Sequence, residues 1–424
     1  MGHSVGMSLF RKQSILLRRT ILSSPKLRVL LGNGAVLVLF GFAALSSPIA
    51  YAAESNGSLS QTTIVTSSDG TKLRVRLDTP SRAIAKGVTI VLVAGTGAFD
   101  EEVDFGNSGT SRDYVFKELA NRFSSQGYHV VRYAKRGVPC IEEAPKTHVS
   151  SSASEPDQQE ENCLSEKQLA TVTTGSQVED LVAVVGQATK IRGKLIVIGH
   201  SEGFVVLARA MEAGKVKPDG IVGIGALLES PESVLRWQLS DRIADSLIKM
   251  DANKDGVTTN EEVDAGYQGS WASVYGNIHA LKSPSGAWSA AQIGDVRAAW
   301  SQMYSASKGD AASKLPNELF KMGAVPVASY QWWQSWFSDT RPVIERVQTY
   351  SGKVSLLYGA NDPQTPPERQ LKALKSSAAL AATWHSRVFP NLGHTLGPDV
   401  LMGPMDLDAQ DFLLQEVERI SLSN

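Results

Sequence analysis

Three residue types at workable spacing suggest acyl-transfer chemistry. The first is the serine of Gly199-His200-Ser201-Glu202-Gly203, which follows the apolar run KLIVIG at 194–199 and opens a helix-like stretch from Phe204. A strand, a sharp turn and a helix in that order present a serine hydroxyl as a nucleophile, and glycines on either side avoid collisions with the neighbouring strand and helix. Such a hydroxyl needs a base. Of the seven histidines, His394 in Asn391-Leu392-Gly393-His394-Thr395 is the one just past the last expected strand, whereas His200 adjoins the serine on a turn that should point it away. The orienting acid is then Asp362, in Gly359-Ala360-Asn361-Asp362-Pro363, just past the preceding strand. Charge developing on a carbonyl oxygen calls for two backbone N–H donors. Glu202, next after the serine, should supply one, and Thr96 or Gly97 in Ala94-Gly95-Thr96-Gly97-Ala98 the other.

Parallel strands leading out at one sheet edge would bring these groups together. The runs VTIVLVA (88–94), HVVRYA (129–134), KLIVIG (194–199), GIVGIGA (220–226), KVSLLYG (353–359) and WHSRVF (384–389) read as buried strands. Helix-like segments lie between them at 111–125, 177–189, 204–213 and 367–376, and IVTSSDGTKLRVRL reads as a hairpin turning at Asp69-Gly70. Continuous apolar strands alternating with helices predict an α/β fold, a mostly parallel sheet with helices on both faces. Residues 231–347 break the alternation and carry seven of the eight tryptophans, so they read as a mainly helical cap between core segments 53–230 and 348–424.

Taken together, AGTGAFDEE, RYAKRGV, GHSEG, YGANDPQTP and NLGHTL resemble the α/β-hydrolase superfamily, in particular its bacterial serine-aminopeptidase-like and esterase-like branch. The resemblance implies an eight-stranded, mostly parallel sheet and a triad of Ser201, Asp362 and His394.

A second chemistry sits in the cap. Residues 251–262, DANKDGVTTNEE, match the EF-hand pattern D-x-[DN]-x-[DN]-G-x5-E. They offer calcium the side chains of Asp251, Asn253 and Asp255, the Val257 carbonyl, Thr259 directly or through water, and a bidentate Glu262, with Gly256 at the sharp turn. A helix over 234–250 leads in, and no second loop of this pattern follows. A single exported loop should bind calcium with a Kd of roughly 0.1–1 mM and act as a structural clip. Catalysis by the triad itself calls for no cofactor.

Composition narrows the setting. With 42% apolar and 20% charged residues the 424-residue chain is neither disordered nor built of many membrane spans. Residues 1–52 hold six basic side chains and no acid, followed within that stretch by an apolar run, 29–45, and Ala50-Tyr51-Ala52, the layout of an export signal. Cleavage there leaves 36 basic against 43 acidic side chains, a poor match for nucleic acid. The alternative is a retained anchor over 29–52. Cys140 and Cys163 flank a polar stretch and should pair in an oxidising compartment. The expectation is a periplasmic or secreted serine hydrolase acting on a small carboxylic ester, without stable membrane insertion once the signal is removed. An aminopeptidase or amidase would use the same triad, and a catalytically silent fold would leave a calcium-dependent binding module.

Overall fold

The computed structural model describes residues 59–81, 84–104, 111–138, 164–191, 193–267, 281–322, 325–399, 401 and 403–422. The expected export signal and the pairing of Cys140 with Cys163 lie outside them. Among the described residues no helix is long and apolar enough to cross a membrane.

The strands are β1 Leu59–Thr66, β2 Lys72–Thr79, β3 Val88–Val93, β4 His129–Tyr133, β5 Lys194–His200, β6 Gly220–Ile224, β7 Val257–Thr259, β8 Ala287–Ser289, β9 Leu319–Met322, β10 Val325–Ser329, β11 Lys353–Gly359 and β12 His385–Phe389. Eight of them form one sheet in the order β1-β2-β4-β3-β5-β6-β11-β12. Only β2 runs against the rest, pairing antiparallel with β1 and β4, while every other neighbouring pair is parallel. This is the α/β architecture that the apolar runs predict. The order reverses at β3, from which the chain first builds outward to β4 and then returns to lay down β5. A crevice opens at such a switch point, outside the carboxyl ends of the strands.

The apolar runs of β3, β5, β6 and β11 are continuous because both faces of the sheet are covered there, whereas the run at 384–389, expected to be buried, forms the edge strand β12 and is exposed from His385 to Val388. On one face Val91, Val197, Ile221 and Leu356 pack with Leu181 and Val184 of the helix Thr174–Ala188 and with Phe204 and Leu207 of the helix Glu202–Glu212. On the other, Ile90, Ile196, Ile198 and Leu357 meet Phe116 and Leu119 of the helix Val115–Ser125 and Leu413 and Val417 of the helix Leu407–Ser421. Alternate residues of β5 thus serve opposite faces, as strand geometry requires.

The described chain divides into two compact units, one over Leu239–Ala306 and one holding the sheet together with Ser307–Asn424. Among the described residues the 231–347 segment is mainly helical, as the sequence predicts, and it differs from that prediction in two details. It contains two short antiparallel ribbons, β7 with β8 and β9 with β10. The helix expected over 234–250 is divided into Pro231–Arg236, a wider five-residue π turn at Trp237–Asp241, and Arg242–Met250. The 239–306 unit has its own apolar core of Ala244, Leu247, Met250, Val263, Leu281, Trp288, Ile293 and Val296.

Candidate active site and a loop pair

Ser201 has φ 53° and ψ −122°, a conformation costly for a residue with a side chain. The chain accommodates it because both flanking glycines are pressed against backbone. A Cβ on Gly199 would lie 2.7 Å from the Phe204 nitrogen, and one on Gly203 2.2 Å from the Val93 carbonyl oxygen. The turn therefore fits only while these positions lack side chains. Ser201 is partly exposed at the start of the helix Glu202–Glu212. The N–H of Glu202, in the first helical turn, is among those that find no carbonyl within the helix.

His394 and Asp362 meet. His394 Nδ1 lies 2.8 Å from Asp362 Oδ2, with both residues buried. The two loops are held together by Ala360 N–H donating to Phe389 O and Asn361 N–H donating to Leu392 O, each at 2.9 Å, and a Cβ on Gly359 would strike Leu392 O at 2.2 Å. Asp362 also accepts from the backbone N–H of Gln364 at 2.7 Å and of Thr365 at 3.0 Å, and from the Thr365 hydroxyl at 2.8 Å. Burial pushes this carboxyl up, but His394 and the Thr365 and Gln364 amides outweigh it and hold the group below the usual carboxylate range. An ionised Asp362 fixes the imidazole tautomer that carries its proton on Nδ1 and leaves Nε2 free to act as base.

His200 does not point away from this site. Its ring centroid lies 4.8 Å from that of His394, and a Cβ on Gly95 would come within 3.0 Å of His200 Nδ1. His200 is still the last residue of β5, and alternation through Ile196 and Ile198 puts it on the face where Leu396, two residues past His394, is packed. Burial and the adjacent His394 push the His200 pKa down to about 3, so the ring is neutral at physiological pH.

Gly95 reaches the turn from the other side, since a Cβ there would also lie 3.0 Å from the Ser201 Cβ. Thr96 and Gly97, whose φ is 137°, follow it on the loop after β3. Buried ion pairs that sequence spacing does not reveal anchor the end of this loop. Glu101 binds Arg74 at 2.9 Å and Arg76 at 3.0 Å, Glu102 pairs with Arg132, and Arg132 binds Asp78 at 2.8 Å. Another such group lies behind the serine. The Glu202 carboxylate, 2% exposed, accepts from Trp332 Nε1 at 2.5 Å and from Lys135 Nζ at 3.1 Å, and Lys135 Nζ also donates to Gly95 O. The space beside Glu202, Lys135 and Trp332 measures about 20 Å³, room for one water at most. Trp332 is therefore used for packing and for this hydrogen bond, and its neighbour Trp333 stacks on Phe320 at 4.5 Å.

In the 239–306 unit, the residues expected to bind calcium share one tight turn. Asp251 accepts from the N–H groups of Asp255 and Gly256, Asn253 from Asp255 N–H, and Asp255 from Val257 N–H. Glu262 reaches back to the N–H groups of Ala252, Asn253 and Thr259. With the carboxylates turned to these amides, no group of three or more His, Cys, Asp or Glu among the described residues forms a metal cage by itself. Residues 281–292 repeat the turn. Gly286 has φ 92° against 84° at Gly256, Thr258 faces Trp288 across the β7–β8 ribbon, and Gln292 accepts from Ser289 N–H at 2.9 Å as Glu262 does from Thr259 N–H. A second loop is thus present in shape. Its Ser283, Ser285 and Gln292 stand where the first loop has Asn253, Asp255 and Glu262, so the ligand pattern could not find it; Gly286 ahead of alternating Ala287-Trp288-Ser289 is the signal that remains.

No protein-family model matches the chain, and no curated protein matches it. Similar solved structures include an esterase from Rhodococcus sp. ECU1013, 16% identical over 85% of this chain and 98% of that one, with a TM-score of 0.43. A proline iminopeptidase from Mycobacterium smegmatis is 14% identical over 85% of this chain and 99% of that one, with a TM-score of 0.44. An esterase from Exiguobacterium antarcticum is 12% identical over 86% of this chain and all of that one, with a TM-score of 0.40.

Proposed function

We propose that the chain is a serine hydrolase that cleaves carboxylic esters through an acyl-enzyme on Ser201. The observation that carries the reading is the buried His394–Asp362 pair at 2.8 Å, at the same sheet edge as a serine held at φ 53°. Ser201 Oγ attacks the substrate carbonyl as His394 Nε2 takes its proton, and the carbonyl oxygen becomes an oxyanion facing backbone N–H groups. Collapse of the tetrahedral intermediate expels the alcohol, which receives the proton from His394. Water then attacks the acyl-enzyme by the same route in reverse and releases the acid. Asp362 stays ionised throughout and stabilises the imidazolium.

A fluorophosphonate probe tests the reading. The full chain should label, and Ser201→Ala should abolish the label; an unlabelled wild-type chain would refute the enzyme and favour a silent binding fold. Nitrophenyl esters set beside aminoacyl nitroanilides then separate esterase from aminopeptidase, and preference for the anilides would overturn the ester assignment.

We propose further that residues 251–262 hold one calcium ion as a structural clip. Asp251, Asn253, Asp255, the Val257 carbonyl, Thr259 and Glu262 supply hard oxygens in number and kind suited to it. Export is proposed from the basic, apolar and small-residue order of residues 1–52. Amino-terminal sequencing of the secreted protein should begin at Ala53, and an intact amino terminus would contradict cleavage.

A further inference from the structure

We propose that Lys135 is a positioning residue for the oxyanion hole, setting the direction of the Thr96 N–H. The inference rests on the acyl-transfer reading above and deepens it. Lys135 Nζ donates to Gly95 O and is held by Glu202 Oε2 at 3.1 Å. The Gly95 carbonyl and the Thr96 N–H belong to one peptide plane, and in a trans peptide they point in opposite directions. A lysine that pins the carbonyl on one side therefore turns the Thr96 N–H to the other, over the turn where Gly95 backs on the Ser201 Cβ. This selects Thr96, rather than Gly97, as the loop's donor.

Glu202 makes the device a cross-link. Its backbone N–H is the second expected donor, and its own carboxylate anchors the lysine that orients the first. Trp332 Nε1 occupies the other carboxylate oxygen, so Glu202 is bonded on both. A buried carboxylate and a part-buried ammonium are costly to desolvate, and an apolar pair of similar volume is often at least as stable. Stability alone does not account for them beside a nucleophile. Fixing two donors relative to one another before charge develops does.

The test uses the full-length protein with Lys135→Met and with Lys135→Met/Glu202→Gln, the second removing both charges of the pair so that no buried carboxylate is left without its partner. Each is compared with wild type on a nitrophenyl ester and on its thionoester, whose sulfur is a poor acceptor of oxyanion-hole hydrogen bonds. The expected result in both variants is a kcat on the ester lower by about 10- to 100-fold, no more than deleting one oxyanion donor costs, with KM within threefold. The preference for ester over thionoester should narrow at least fivefold, while the fluorophosphonate still labels Ser201. A kcat within twofold of wild type, or a lowered kcat with the ester-to-thionoester ratio unchanged, would overturn the role of Lys135. Failure of wild type itself to label would instead refute the hydrolase reading. Should Lys135→Met melt at the assay temperature, the double variant decides.

Discussion

Asp362 is fully enclosed and kept ionised by named donors, so its charge can be removed without removing its shape. In Asp362→Asn the remaining oxygen can still accept from Gln364 and Thr365, but the amide nitrogen faces His394 Nδ1 and favours the wrong imidazole tautomer. A fall in kcat of about three to four orders of magnitude with little change in KM is expected, and a loss under tenfold would remove Asp362 from the triad. Asp100 behaves in the opposite sense. Burial and the adjoining Glu101 and Glu102 raise its pKa from 3.8 to about 7. The folded protein keeps this proton in a range where the unfolded chain has already lost it. The resulting stability is present in acid and drains away as pH rises from about 4 to 7. Asp100→Asn does not titrate, and its side-chain oxygen can still accept from the Glu102 and Val103 N–H groups that Asp100 binds. Its melting temperature should therefore fall by a few degrees less than wild type's between pH 5 and pH 8; equal falls would show that Asp100 carries no raised pKa.

At the scale of elements, glycines separate sites that cannot change from sites that can. Gly203→Ala places a Cβ against the Val93 and Ala94 carbonyls, which β3 cannot move, and should cost about 2–3 kcal/mol and abolish labelling of Ser201. Gly186, exposed in the helix Thr174–Ala188 with no atom within 4 Å of a would-be Cβ, should instead gain about 0.5–1 kcal/mol when changed to alanine. Thermal melts of the two variants moving in the same direction would contradict this argument. The same elements explain what was legible beforehand. A strand buried on both faces must be largely apolar, so β3, β4, β5, β6 and β11 and the turns they feed could be read directly. By contrast, β12 is an edge strand exposed from His385 to Val388 and was legible only as a short extended run. The candidate residues Ser201, Asp362 and His394 follow from their places just beyond strand ends. Glu202, Lys135 and Trp332 could not be joined in that way, because their contacts span 67 and 130 residues and obey no local spacing. The turn after β5 was expected to carry His200 away, but alternation through Ile196 and Ile198 already puts it on the face where Leu396, two residues past His394, is packed. The ribbons β7–β8 and β9–β10 have strands of only three to five residues, too short for periodicity to register.

The whole molecule has more than one apolar core, and the cores are unequal. The sheet unit buries extensive clusters on both faces of its sheet, whereas among the described residues the 239–306 unit has one cluster of eight buried apolar side chains. A unit that short gains little from burial alone and benefits from a staple. The two paired turns supply the place for one, and their chemistry sets the number. Residues 251–262 carry Asp251, Asp255 and Glu262, while the matching turn at 281–292 has no carboxylate. One calcium per chain is therefore expected, at roughly 0.1–1 mM affinity. Calcium binding only the folded form adds RT ln(1 + [Ca]/Kd), about 1.4 kcal/mol at ten times Kd. Chelation should accordingly lower the melting transition and speed proteolysis within 239–306, leaving ester hydrolysis at room temperature within twofold. Asp251→Ala should melt as the chelated wild type does and ignore the chelator. Titration calorimetry saturating at two ions per chain would restore the second turn as a binding site, and a wild-type melt indifferent to calcium would dismiss the staple altogether.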